Sequence, residues 1–175
     1  MMQPIPFDIG NIPGPEAGRV VGPSVIGNAI ARAKRPLLVV GAEILEDGLI
    51  EKAIEIGEKG VPIAATGHSI KGFIEKGYDG ATYMGLHELT NFLRDPEWAG
   101  LDGEGNYDMV IVLGVKYYSG TQMLVALKNF ATEPLIRIVS IDRYYHPNAR
   151  LTFNNISRKN NDIFMKALDE VILRL

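Results

Sequence analysis

Two residue pairs that each begin with a glycine directly follow the two most apolar segments of the chain, at positions where a ligand could bind. Gly41-Ala42 follows residues 37–40 (LLVV), and Gly114-Val115 follows residues 109–113 (MVIVL). Segments that are apolar at every position are typical of parallel strands buried on both faces. Open parallel sheets bind ligands at the carboxyl ends of their strands, where helix N-termini favour a pyrophosphate. The sequence therefore predicts a ligand crevice between these two pairs.

The other candidates for this crevice come at or just beyond the ends of predicted strands, and they are Thr66, Gly67, Tyr117, Asp142 and Arg143. Asp142 could accept a hydrogen bond from a ribose, or it could cap a turn. Arg143 would lie near a phosphate. Tyr117, or its neighbour Tyr118, could stack on a ring of the ligand, although such tyrosines are more often core or interface residues. The candidate ligands are FAD and, less favoured, NAD or ADP.

Sequence motifs limit the chemistry of this site. The segment after residues 37–40 has one glycine where G-x-G-x-x-G requires three, and there is no Walker lysine motif, so an ordinary Rossmann dinucleotide site is not favoured. A hydrolase is disfavoured because the chain has no G-x-S-x-G elbow. The chain has no cysteine, which removes the usual thiolate ligands of zinc and iron–sulfur sites. We predict no catalytic residue and no metal site.

Composition excludes further classes of protein. A net charge of −3 and a pI near 5.6 argue against nucleic-acid binding. The apolar segments are too short to span a membrane, and the first twenty residues lack the features of a secretory signal, so we expect a cytoplasmic protein. With 175 residues, 46% of them hydrophobic, the chain is expected to form one domain.

The positions of the apolar residues predict four parallel strands separated by helices. The strands cover residues 37–40, 61–66, 107–113 and 135–141, and the two most apolar are placed side by side, which gives the order 2-1-3-4. The predicted helix caps are Ser24, Asp47, Ser119 or Thr121, and Asp162. Residues 67–85 are interpreted as a loop with one short helix near residues 70–76. The expected fold is a three-layer α/β domain with a Rossmann-like parallel sheet.

Two further segments lack regular periodicity. Residues 1–22 are rich in proline and glycine, which predicts an extended N-terminal arm preceding a domain of residues 23–175. The arm could be a loose tail, or it could lie on another subunit. Residues 144–159 are irregular and locally basic, with no acidic residue after Asp142 to balance Arg143, Arg150 and Arg158 before the next helix. This segment could attract a phosphate or an acidic partner, or it could be a solvated loop.

Several of these segments resemble a known group of nucleotide-binding domains. Residues 35–41 (RPLLVVG), 65–67 (ATG) with Lys71-Gly72, and 140–142 (SID) are similar to the middle domain of thiamine-diphosphate enzymes. That domain is grouped with the NAD-binding domain of sirtuins, whose sheets carry FAD, ADP or NAD in some members. The thiamine-binding domains are missing, so the resemblance implies the scaffold and not thiamine chemistry.

A closer resemblance extends over almost the entire chain. Residues 65–73 (ATGHSIKGF), 95–108 (DPEWAGLDGEGNYD) and 142–149 (DRYYHPNA) resemble the epsilon subunit of the archaeal acetyl-CoA decarbonylase/synthase complex. In that family the epsilon subunit joins a large alpha subunit, which carries nickel and iron–sulfur clusters, to form the carbon monoxide dehydrogenase component. The lack of cysteine fits an accessory subunit without clusters.

The resemblance implies a non-catalytic role with two possible forms. The epsilon subunit would stabilise the alpha–epsilon assembly, or it would assist the transfer of electrons to FAD, and it could also associate with itself. The alternative is a stand-alone domain that binds FAD, NAD or ADP and has a redox or regulatory role.

Overall fold

The computed structural model describes residues 17–131 and 136–175, which form one parallel sheet covered by helices on both faces. The strands are β1 (Arg19–Val20), β2 (Pro36–Val40), β3 (Ile63–Ala65), β4 (Ala81–Tyr83), β5 (Met109–Leu113), β6 (Arg137–Ser140) and β7 (Leu151–Thr152). Their order is β1-β7-β6-β5-β2-β3-β4. The order predicted for four of them is confirmed, because β3, β2, β5 and β6 are neighbours in that sequence.

The helices alternate with the strands along the chain. They are α1 (Pro23–Ala31), α2 (Leu49–Glu58), α3 (Ser69–Glu75), α4 (Leu86–Arg94), α5 (Tyr117–Phe130) and α6 (Asn161–Ile172), with 3-10 helices at Ala42–Leu45 and Arg158–Asn160. The short helix predicted near residues 70–76 is confirmed as α3. In the described ranges, no helix is both long and apolar enough to cross a membrane.

The two strands that are apolar throughout lie at the centre of the sheet, as predicted. β2 pairs with β5 in parallel along five residues, from Pro36 opposite Met109 to Val40 opposite Leu113. Alternate side chains of each strand enter different cores. Leu38 and Val40 pack with α1, α2 and α6, whereas Leu37 and Val39 pack with α4 and α5. This arrangement is the expected three-layer α/β fold.

The three strands that the sequence did not predict are short and lie at the two edges of the sheet. β4 has three residues that are largely exposed, so no apolar pattern marks it. β7 lies within the segment predicted to be irregular. β1, with residues 17–22 around it, belongs to the segment predicted as an arm, but Arg19 and Val20 pair with Leu151 and Thr152. The rest of that arm, residues 1–16, lies outside the described residues, as does residue 135 of the fourth predicted strand.

The predicted helix caps are wrong. The N-cap residues of α1, α2, α5 and α6 are Gly22, Gly48, Lys116 and Asn160, and none of them caps its helix with a side-chain hydrogen bond. The error is largest for α5, which starts at Tyr117 because only three residues separate it from β5. When a helix follows a strand after so short a connection, the first polar residue that could cap it does not mark where the helix starts.

Candidate functional site

The carboxyl ends of β2 and β5 meet at the predicted crevice, and the chain's own backbone fills the gap between them. The N–H of Gly41 donates to the carbonyl of Leu113 (3.1 Å), and the N–H of Glu43 donates to the carbonyl of Gly114 (2.9 Å). A Cβ atom on Gly41 would lie 2.5 Å from the Gly114 oxygen. The 3-10 helix Ala42–Leu45 therefore lies directly over the end of β5, with Ile44 fully buried.

A small cleft lies beside this helix, over the ends of β5 and β6, and contains about 40 Å³ of free space. Five of the nine predicted site residues line it: Gly114, Val115, Tyr117, Asp142 and Arg143. Four do not: Gly41, Ala42, Thr66 and Gly67. Thr66 instead lies at the end of β3, where its hydroxyl donates to the carbonyl of Val40 (2.8 Å). The free space suits a few water molecules or the end of one side chain.

Asp142 lies at the base of this cleft and is 7% exposed. Its Oδ1 accepts the N–H of Gly114 at the end of β5. Its Oδ2 is buried and has no hydrogen-bond partner among the described residues. Burial raises the pKa of Asp142 to about 8, and the nearby Glu43 carboxylate adds to the rise. At neutral pH this carboxyl therefore favours its protonated form.

His146 is the nearest basic group to Asp142, and it is almost completely buried. Its Nε2 lies 3.7 Å from Asp142 Oδ2, and its ring stacks on Tyr117 with centroids 4.4 Å apart. Burial lowers the pKa of His146 to about 4, so the imidazole is neutral at neutral pH. His146 consequently offers Asp142 no positive charge.

Both arginines of the cleft contact an acidic side chain from a distant part of the chain, and Arg143 also donates to an asparagine. Nη2 of Arg143 lies 2.6 Å from Oδ1 of Asn161 and 3.4 Å from Oδ2 of Asp47, and Nη1 of Arg158 lies 2.7 Å from Glu46. The segment itself has no acid after Asp142, but the fold supplies acidic partners for Arg143 and Arg158. Asp47 and Glu46 come from the connection between β2 and α2, which only the folded chain brings here.

Tyrosine side chains form the rim of the cleft. The rings of Tyr117 and Tyr144 are 6.5 Å apart and nearly perpendicular, at 88°. Tyr118 packs edge-on against Tyr117 and is 75% exposed. The hydroxyl of Tyr117 donates to the carbonyl of Tyr145 (3.0 Å), which fixes the ring over His146. An aromatic corner with carboxylates below it is suited to a cation.

Metal chemistry has no evident site in the part of the chain that the structure describes. No group of three or more histidine, aspartate or glutamate side chains there could hold a metal ion. Asp142 and His146 make only a pair.

Comparison with known proteins decides the family. Residues 1–172 match the family described as CO dehydrogenase beta subunit/acetyl-CoA synthase epsilon subunit. The chain belongs to this family. It is 55% identical over 171 residues to the acetyl-CoA decarbonylase/synthase complex subunit epsilon of Methanothrix soehngenii, covering 97% of this chain and 90% of that protein. It is also 44% identical over 169 residues to subunit epsilon 1 of Archaeoglobus fulgidus, covering 95% and 89%.

The resemblance of this chain to the epsilon family is thus confirmed. Among solved structures, a protein of Mycobacterium smegmatis described as a thiamin diphosphate-dependent enzyme superposes with a TM-score of 0.48 at 19% identity. The match covers 93% of this chain and 31% of that chain, so this epsilon-family chain spans about a third of its length.

Among the cleft residues that sequence reasoning did not place in the site of this epsilon-family member are Glu43, Tyr144 and His146. One signal was present: His146 follows Asp142 by four residues, directly after a buried strand. No sequence signal places Glu43 beside Asp142 and His146, because Glu43 follows β2, whereas the other two follow β6, and β5 lies between these strands.

Proposed function

We propose that this chain is a non-catalytic accessory subunit of the carbon monoxide dehydrogenase component of acetyl-CoA decarbonylase/synthase, where it binds and stabilises the large cluster-bearing alpha subunit. The observation that carries the proposal is the family match over residues 1–172, with 55% identity to a protein named as subunit epsilon of that complex. The match includes nearly all of both chains, so the proposal concerns the whole subunit.

The chemistry of the chain supports an accessory role. It contains no cysteine, so the thiolate ligands of any iron–sulfur cluster would come from another chain. Some polar atoms of the cleft also hold the fold, since Oδ1 of Asp142 accepts the N–H of Gly114 and Nη2 of Arg143 donates to Asn161.

Reconstitution tests this proposal. The purified chain is mixed with the alpha subunit of the same organism and analysed by size-exclusion chromatography with light scattering. We expect the two proteins to elute together in fixed stoichiometry, and we expect carbon monoxide oxidation by the mixture to survive heating longer than that by alpha alone. Separate elution with an unchanged half-life would refute the proposal, as would carbon monoxide oxidation by this chain alone.

Nucleotide binding is the alternative function, and the small volume of the cleft argues against it in the present conformation. Ligand pockets usually have volumes of about 300 to 1,000 Å³, whereas the cleft has about 40 Å³. Binding of FAD, NAD or ADP would therefore require the 3-10 helix Ala42–Leu45 to leave the end of β5. Calorimetric titration of the purified chain with each compound tests this alternative, which saturable micromolar binding would support.

A further inference from the structure

The charges around the cleft do not balance. Its acidic residues are Glu43, Glu46, Asp47 and Asp142, and its arginines are Arg143 and Arg158. Each arginine already has an acidic partner, Asp47 for Arg143 and Glu46 for Arg158. Neither Glu43 nor Asp142 forms an ion pair with a lysine or arginine in the described ranges. The charges of Arg158, Lys116 and Arg143 act on Glu43 only from beyond ion-pair distance.

One of these two carboxyls also lacks a hydrogen bond. Asp142 Oδ2 is buried without a donor, and a buried polar atom left in this state is uncommon in native proteins. Glu43 and Asp142 are close enough for the charge of Glu43 to raise the pKa of Asp142. A positively charged donor placed between them would satisfy the free oxygen and favour the ionised form of Asp142.

The rim favours a cation as well. Tyr117 and Tyr144 line the mouth of the cleft, and an ammonium group that approached a tyrosine ring face within about 6 Å would be attracted by it. The cleft's free space of about 40 Å³ suits an ammonium, which is compact, better than the broader guanidinium of arginine.

We propose that the cleft receives the ammonium group of a lysine side chain from the partner subunit, held between Glu43 and Asp142 under the tyrosine rim. A protein partner is favoured over a free amine because an exposed tyrosine extends the rim. Tyr118 is 75% exposed beside the mouth, and tyrosine is enriched among the residues that dominate binding at protein interfaces. The inference rests on the proposed function and specifies where the alpha subunit would bind.

Zero-length carbodiimide cross-linking of the reconstituted complex tests the inference, because the reagent joins a carboxylate directly to an amine in contact with it. We expect mass spectrometry to identify a cross-link from Glu43 to a lysine of the partner subunit. The Glu43→Gln variant should lose this cross-link and bind the partner at least tenfold more weakly. Asp142→Asn, which keeps an oxygen for the Gly114 N–H, should also weaken binding.

Glu58→Gln is the matched control, since Glu58 is exposed at the end of α2, where the chain enters the amino end of β3, and does not line the cleft. This variant should bind the partner within twofold of wild type, and thermal unfolding should show that all variants are folded. If wild type and Glu43→Gln bind equally, or if only other carboxylates cross-link, this inference is overturned while the proposed function stands. If wild type does not bind the partner at all, the proposed function fails and the inference fails with it.

Discussion

Asp142 and His146 show how burial sets the protonation of two adjacent side chains. Neither has a strong ion-pair partner in the described structure, so the cost of burying a charge dominates both. It raises the pKa of Asp142 to about 8 and lowers that of His146 to about 4. Near neutral pH the carboxyl of Asp142 is therefore protonated and the imidazole of His146 is neutral.

This protonation predicts a pH-dependent stability. The folded pKa of Asp142 lies above its unfolded value of 3.8, so the native state retains a proton that the unfolded chain has released, and stability falls as pH rises toward 8. His146 acts in the opposite sense below its unfolded value of 6.5. The two effects largely offset at acidic pH, and the net loss is concentrated between pH 6.5 and 8, at about 2 kcal/mol.

Urea unfolding at about pH 6.5 and about pH 8 measures this loss in the free energy of unfolding. Asp142→Asn carries no titratable proton and can still accept the Gly114 N–H, so its free energy of unfolding should change much less over the same range. An equal change in wild type and variant would show that another group causes the pH dependence.

At the scale of elements, the 3-10 helix Ala42–Leu45 determines what the edge of the sheet can bind. It lies over the end of β5 because the backbone at Gly114 has a φ of +67° and carries no Cβ. A Cβ there would come 2.5 Å from Cγ2 of Ile44 and 2.7 Å from its nitrogen. The close packing of these two segments leaves only the small cleft beside them.

Gly114→Ala should therefore destabilise the fold through both backbone strain and a clash with Ile44. We expect a loss of about 3 kcal/mol in the free energy of unfolding. Gly67→Ala is the matched control, because Gly67 also has a positive φ of +58° but no atom within 4 Å of the added Cβ. It should lose only about 1 kcal/mol. Urea unfolding of both variants measures the difference, and equal losses would contradict the packing argument.

The elements also show which features the sequence reveals. β2 and β5 are apolar at every position, and this pattern was sufficient to predict their central place and their order with β3 and β6. β4 could not be found this way, because its three residues are largely exposed at an edge and pairing with β3 alone defines it. Only part of the cleft could be predicted from the sequence. Asp142 and Arg143 follow a strand that its apolar pattern reveals, whereas Glu43 is distant in sequence and comes close to them only in the folded chain.

At the scale of the whole molecule, residues 144–147 connect the N-terminal part of the described chain to the rim of the cleft. The N–H of Gly18 donates to the carbonyl of Pro147 (2.6 Å), and the hydroxyl of Tyr145 donates to the carbonyl of Gly18 (3.0 Å). The same segment carries Tyr144 of the rim and His146 of the cleft. A partner bound at the tyrosine rim would therefore lie near the point where the N-terminal residues join the domain.

Two deletions separate the role of these residues in assembly from their role in folding. Removing residues 1–16 keeps β1 and the bonds of Gly18, so the melting temperature should stay close to that of the full chain. We expect this variant to bind the alpha subunit at least tenfold more weakly, because an extended arm would lie on that partner. Calorimetric titration with the alpha subunit measures the affinity.

Removing residues 1–22 also takes away β1 and its pairing with β7, including the bond from the Val21 N–H to Thr152 (3.1 Å). This longer deletion should lower the melting temperature by several degrees, since each kcal/mol lost shifts a domain of this size by about 2 to 4 °C. If the shorter deletion binds alpha as tightly as the full chain, residues 1–16 have no part in assembly and the interface must be sought on the folded domain. If it melts as low as the longer one, residues 1–16 stabilise the fold itself.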